Sequence, residues 1–517
     1  MRTKLYGIAV SSSSALIFGY LCVRVFSPSI KSGVNLLKGF MGIVPAVLLL
    51  LVLWTLDRFI IQKMDKATCK AAIVFMIAIN GVMQVICLIE LRVSPSWDFG
   101  AIIAGASDIA AGRPIRNIFY FQEYPFNLNP TVVIGIFKHL LGGYAPAPYI
   151  LNILAVTSSI IGACVTAWRV FSPSVSVRTA FFCLAATPLY LYVPIVYTDT
   201  LSMPFAIWSV YAWSFIRFPG ALSSKTYGLP ACAAIGLLAG AGYLVKPVAA
   251  IGLLAFALDY FMCSGRYASI RPHIEGRIRR FFIQMIPLVS AIAVFLIIIF
   301  SFRAYIDFKG YNSRLDRNKS IPYTHWLLMG MNKPVADGGT SYGYGGFSNE
   351  DLKFTRSFKT LKDREEAEMA RIRQRLEEFG VGGYASFLLK KVEWTWTDGT
   401  YFSSVKLSRY PLKLSFLHKF VLPNKGKSNR LYLAFAQLTQ GILLFLIFSG
   451  AVFSIRHGGG SVYRFLLLMC LGLMLFLAFW ETRSRYVTFM IPILIVMAAA
   501  ASDSFFTVAE RLLKKTE

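Results

Sequence analysis

Apolar residues in this chain come in long unbroken runs instead of alternating with polar ones. The stretches GIVPAVLLLLVLW, AIAVFLIIIF and FLLLMCLGLMLFLAFW carry no charge. Runs approaching roughly 20 residues match a hydrocarbon core about 30 Å thick. The pattern therefore predicts an all-α polytopic membrane protein. Twelve spans are expected, near 7–27, 37–56, 71–91, 149–168, 179–196, 201–217, 230–245, 247–263, 283–302, 431–454, 464–480 and 487–506. The chain then divides into a membrane domain over 1–302 with a first outer loop at 92–148, an extracytoplasmic module over 303–430, and closing membrane helices over 431–517.

Charge sets the sides. CSGRYASIRPHIEGRIRRFF holds five arginines against one glutamate, and such loops stay cytoplasmic. DRFIIQKMDKATCK, SIRHGGGSVYR and the tail ERLLKKTE agree, and both termini fall inside. The segment 129–143, NPTVVIGIFKHLLGG, is apolar but short and contains Lys138 and His139. If it crossed, the five-arginine loop would face outward, so it is expected to lie at the outer surface or dip part-way in. The net charge of +27 belongs to this topology and does not call for nucleic acid. Eight cysteines without a CxxC pair imply neither a disulfide framework nor a metal knuckle.

The module 303–430 is expected to be a folded region of mixed structure. TLKDREEAEMARIRQRLEEFG reads as an amphipathic helix stopped by Gly380, and alternating Trp394 and Trp396 suit a strand, a sugar-stacking platform or the membrane interface. Asp337, Tyr344, Asn349 and the segment EWTWTDGTY (393–401) are further candidates for shaping an acceptor site there.

Charged residues at the outer ends of spans supply the candidate chemistry. Asp98 in SPSWDFG is either a solvated cap or a functional acid. Asp199 in VYTDT, beside Tyr197, is either a helix-starting turn residue or a second functional acid. Lys246 sits in GYLVKPVAA, where an ammonium needs water, a carboxylate or an anionic ligand. FWETRSRYVTF places Glu481, Arg483, Arg485 and Tyr486 in one short outer loop. If that loop is helical, Glu481 and Arg485 pair one turn apart; a phosphate is the other natural partner of the guanidinium groups. Two acids suit hydroxyl activation, and one lysine with two arginines suits an anionic phosphate.

At these residues the sequence resembles the GT-C superfamily of polytopic glycosyltransferases, including protein O-mannosyltransferases, the aminoarabinose transferase of lipid A and oligosaccharyltransferase catalytic subunits. Asp98 matches the family's acid in the first large outer loop, and Asp199 the acid in the next. LVKPVA is similar to its lysine segment, and ETRSRY to its late glutamate–arginine–tyrosine motif. WTWTDGTYF and YPFNLNP are fainter likenesses to Gram-positive bacterial members. The resemblance implies inverting transfer of a sugar from a polyprenyl-phosphate carrier to an extracytoplasmic hydroxyl on a wall polymer, glycolipid or protein. Asp98 would then be the base. Asp199 would orient the acceptor or hold a divalent cation, metal use being left open. Lys246, Arg483 and Arg485 would grip the carrier phosphate, and Glu123 and Tyr124, with Tyr197, Glu481 and Tyr486, would line the pocket. The rivals are a transporter or flippase of lipid-linked sugars, for which matching halves would be the mark, and a cell-wall polysaccharide polymerase.

Overall fold

The computed structural model describes residues 2–27, 40–218, 224–263, 277–334, 343–423, 426–456 and 461–516. The arginine-rich connection at 264–276 and the candidate Asp337 lie outside them. Among the described residues, nine helices are long and apolar enough to cross a membrane: Thr3–Phe26, Gly42–Lys63, Lys66–Glu90, Ala147–Val170, Gly228–Val245, Met285–Phe308, Lys427–Arg456, Val462–Phe479 and Ser484–Thr507. The chain is a multi-pass helical membrane protein.

Three of the twelve expected spans take another form. The expected spans 179–196 and 201–217 give way to helices Pro173–Ala185, Pro188–Leu191, Thr198–Leu201 and Met203–Arg217. Pro188, Pro194 and Pro204 interrupt the apolar run, since proline lacks the amide that continues a helix. The expected span 247–263 begins as a 3-10 turn at Pro247–Ala250 and continues as the 12-residue helix Ile251–Met262. At 1.5 Å per residue such pieces reach well short of about 30 Å. They also stand where the site is built, because a broken helix exposes backbone and turns that an unbroken span would hide.

The 129–143 segment forms helix Leu128–Leu140, likewise short, and packs along helix Trp97–Ala110. Its charged end is held there: Lys138 Nζ donates to Ser107 Oγ at 2.8 Å, and His139 Nδ1 lies 3.0 Å from the Ala110 carbonyl.

The module over 303–430 is helical, not mixed. It comprises helices Tyr323–Met329, Asn349–Arg356, Leu361–Trp396, Ser403–Leu407 and His418–Val421 with turns between, and no strand among the described residues. Trp394 and Trp396 lie on a helix, where Trp396 is buried edge-on to Phe18 with centroids 6.3 Å apart. Gly380 acts as expected: with φ 59° and ψ 173° it divides the long helix into two. Tyr344 packs against Phe387, and Asn349 opens its helix.

The module is bound to the membrane helices at named points. Lys391, 1% exposed, donates to the carbonyls of Gly330 (2.6 Å), Ala478 (2.9 Å) and Trp480 (2.8 Å). A single antiparallel bridge joins Val93 to Pro411, and the Ile321 amide donates to the Glu123 carbonyl at 3.0 Å. The 92–148 and 303–430 regions therefore close over one end of the bundle together.

Candidate functional site

Asp98 stands on the first turn of helix Trp97–Ala110, where the unpaired amides favour a negative charge. Its side chain is not spent on capping. Tyr120 Oη donates to Oδ1 at 2.9 Å, and Tyr197 Oη donates to Oδ2 at 3.1 Å. Asn127 Nδ2 in turn donates to Tyr120 Oη at 2.6 Å, fixing the direction of that phenol. Burial, and then the Asp98 carboxylate, push both the Tyr120 and Tyr197 phenols well above their ordinary pKa, so they remain donors. Trp97 is held at φ 47°, a left-handed conformation that strains a bulky residue and persists where the surroundings enforce it.

Asp199 lies in the short helix Thr198–Leu201 and is 2% exposed. Its Oδ1 is bonded to Lys246 Nζ, and its Oδ2 lies 3.9 Å from Arg485 Nη1. Lys246, placed where Gly228–Val245 ends and the Pro247 turn begins, is therefore a paired ion with its head over the Tyr486 ring at 4.8 Å. Arg485 spreads between the rings of Tyr197 (5.3 Å) and Tyr486 (5.0 Å), and its Nε and Nη1 make no hydrogen bond.

The expected helical pair of Glu481 with Arg485 does not form. Arg483 is extended at φ −153° and ψ 158°, and a 3-10 segment starts only at Ser484. Strand-like contacts hold this stretch, with Glu481 N donating to Trp326 O at 2.9 Å and Thr482 N to Gly345 O at 2.7 Å. Glu481 instead accepts from Tyr486 Oη at 2.8 Å. Arg483, 7% exposed, sits 4.7 Å from the Phe402 ring centroid.

Phe402 directly follows the candidate segment 393–401 and leads into a helix whose residues the sequence did not announce. Asp398 accepts from Thr400 N (2.9 Å), Phe402 N (3.0 Å) and Ser484 Oγ (2.6 Å), which holds Tyr401 and Phe402 at φ 49° and 68°. That turn launches helix Ser403–Leu407 and delivers Lys406, 6% exposed, with Nζ 3.1 Å from the Trp97 ring centroid. Arg409 approaches the same ring at 5.6 Å. Burial, then the like charges of Arg485 and Arg409, press the Lys406 amine down to about 5 against the pull of Asp98 and Asp199.

On its other side Asp98 borders a cavity of about 1070 Å³ lined by Trp97, Asn117, Gln122, Lys319 and Lys359 among others. Glu123 is a wall residue in a two-point pair with Arg356, at 2.8 and 2.6 Å. Tyr124 backs this wall, its ring 5.1 Å from Tyr120 and 6.1 Å from Trp326.

The structure thus gathers Asp98, Tyr197, Asp199, Lys246, Arg485, Tyr486 and Glu481 into one contact chain, with Arg483 and Tyr124 beside it and Glu123 at the cavity wall. Among the described residues no three His, Cys, Asp or Glu side chains gather as a metal cage, and the Asp199 oxygens face cations. The arrangement offers a carboxylate open to a cavity and, next to it, a cluster of buried cationic side chains.

No curated protein matches this chain. Among solved structures it is similar to the archaeal oligosaccharyltransferase AglB from Archaeoglobus fulgidus, solved with an inhibitory peptide and a dolichol-phosphate. That match has TM-score 0.42 and 13% identity, over 87% of this chain and 52% of the other. It is also similar to ArnT from Cupriavidus metallidurans bound to undecaprenyl phosphate, at TM-score 0.35 and 14% identity, over 83% and 77% of the two chains. The chain spans about half the length of the oligosaccharyltransferase. Residues 8–505 match the family described as conserved hypothetical integral membrane protein, and the chain belongs to that family.

Proposed function

We propose that this protein is a membrane glycosyltransferase that moves a sugar from a polyprenyl-phosphate carrier to an acceptor hydroxyl with inversion. One observation carries the reading. Asp98 is fastened through Tyr197 to the cationic cluster of Lys246 and Arg485, yet it also borders a cavity large enough for a saccharide. Acid on one side and cations on the other are what acceptor activation and phosphate departure require.

In this mechanism the acceptor hydroxyl enters from the cavity and gives its proton to Asp98. The acceptor oxygen bonds to the anomeric carbon as the bond from that carbon to the phosphate oxygen breaks. The electron pair leaves with the polyprenyl phosphate toward Arg485 and Arg483. Lys246 balances Asp199, so that Asp199 fixes Arg485 without cancelling the positive field. Glu123 and Tyr124 shape the wall along which the acceptor or sugar lies. The test is purified protein supplied with polyprenyl-phosphate sugars and assayed for released polyprenyl phosphate. Replacing Asp98→Asn should cut turnover by about 10²- to 10⁴-fold, the range for losing a general base; unchanged turnover removes Asp98 from this role.

We infer that the site is extracytoplasmic with both termini inside, because the Lys- and Arg-rich connections in the sequence belong on the cytoplasmic side. Val381, 93% exposed beside the Gly380 kink, is the reporter, and most of the native cysteines are buried. A Val381→Cys variant should react with an impermeant thiol reagent on intact cells. Labelling only after lysis inverts the topology.

A further inference from the structure

Not every polar group at the site finds a partner. Asp199 answers Lys246 and lies near Arg485, and Asp98 is held by two neutral phenols. Lys406 remains, 94% removed from solvent, with no carboxylate or carbonyl on its amine and only aromatic faces beside it: Trp97 at 3.1 Å and Phe402 at 5.9 Å. Arg485, within the same electrostatic neighbourhood, keeps its buried Nε and Nη1 without a hydrogen bond. A buried amine and a buried guanidinium whose donors find no acceptor each carry a desolvation cost that a ligand oxygen would offset. Two such groups facing one place describe a seat for an anion.

The strained backbone points the same way. Trp97, Tyr401 and Phe402 are three of the four non-glycine residues with positive φ among the described residues, and two of them carry the rings on which Lys406 and Arg483 rest. Strain of this kind is kept at sites where a side chain must be held in one place.

We propose that Lys406 and Arg485 form the anion seat of this protein, and that Lys406 waits on the Trp97 face for a phosphate group, the diester of a loaded carrier and then the monoester that transfer leaves behind. This deepens the transferase reading and rests on it for the identity of the phosphate as the carrier's. The groups that face Lys406 are Arg409 from its own segment, Asp98 from helix Trp97–Ala110, Asp199 from Thr198–Leu201 and Arg485 from the Ser484–Met490 turn. Without a ligand, burial and the neighbouring arginines hold the amine's proton affinity well below that of a free lysine. A bound phosphate supplies the missing counter-charge and raises the amine's proton affinity, so binding takes up a proton. Affinity should therefore fall as pH rises from neutrality, and release of the product phosphate should become easier.

The experiment is calorimetric titration of the full-length protein in lipid nanodiscs with a polyprenyl phosphate. It is run in buffers of differing ionisation enthalpy, with inorganic phosphate as the second probe. The expected result is net proton uptake on binding near neutral pH by the wild type. Lys406→Met should abolish that uptake and weaken binding about 10- to 100-fold, as for loss of a charge-assisted hydrogen bond in a buried site. Lys406→Arg should keep most of the affinity but take up no proton. Binding with no proton uptake, or equal affinity in a folded Lys406→Met protein, overturns the assignment. Lys406-dependent binding of inorganic phosphate with no preference for the polyprenyl form keeps the anion seat and removes the lipid carrier. Failure of both probes to bind removes the seat itself.

Discussion

Asp98 and Asp199 are both carboxylates at broken helix ends on the same face of the bundle, and the structure treats them oppositely. Asp199 is sealed, 2% exposed, and answered by an ammonium and a guanidinium. Asp98 is half-buried, held by neutral hydroxyls, and borders a cavity. An acid surrounded by cations has its charge already used and holds structure in place. An acid held only by phenols keeps its acceptor capacity and can take a proton from something that enters. The difference separates a residue that organises the site from one that acts in it, although both lie within similar sequence signals.

The largest test of that contrast is Asp199→Asn. The substitution strands Lys246 and Arg485 as buried charges without their counter-ion, and breaking a buried pair costs about 3–5 kcal/mol. A clear fall in melting temperature is expected, larger than for Asp98→Asn, with loss of turnover following from disorder of Arg485. Adding Lys246→Met to Asp199→Asn removes one stranded charge and should recover much of the stability. If Asp199→Asn melts with the wild type, the view of Asp199 as an organising ion fails.

The acids and Lys246 were legible in the sequence for one physical reason: a charge bordering a long apolar run is expensive, so its presence needs a partner. Arg485 was legible because two arginines stand at the end of a span where few are expected. The same logic does not reach Lys406, since a lysine in the polar region 303–430 looks ordinary until the fold buries it against Trp97. Nor does it reach Tyr120 and Asn127, whose value lies in a contact made by the turn between two short helices. The fold was legible where apolar runs were unbroken. It was misread at 179–217 and 247–263, where hydropathy averages over prolines that end helices. Of the readings open for Trp394 and Trp396 the strand falls, because both lie on helix Leu361–Trp396, where Trp396 meets Phe18.

A finer probe is Tyr197→Phe, which removes one oxygen and keeps the ring. That ring packs edge-on against Trp97 at 5.8 Å and lies beneath Arg485 at 5.3 Å, so the apolar contacts survive. What disappears is one donor to Asp98 Oδ2. A hydrogen bond to a charged group contributes about 1.5–3 kcal/mol, which sets the expected loss of turnover at roughly 10- to 100-fold. The Michaelis constant for the donor lipid should stay near its original value, because the cations that meet the phosphate are untouched. Tyr120→Phe should behave alike through Oδ1, and the two losses should fall short of adding, since both phenols hold one carboxylate. A purely structural tyrosine would instead lower the melting temperature and leave turnover per folded molecule unchanged, so comparing the two readouts decides whether Asp98 is positioned for chemistry or only packed.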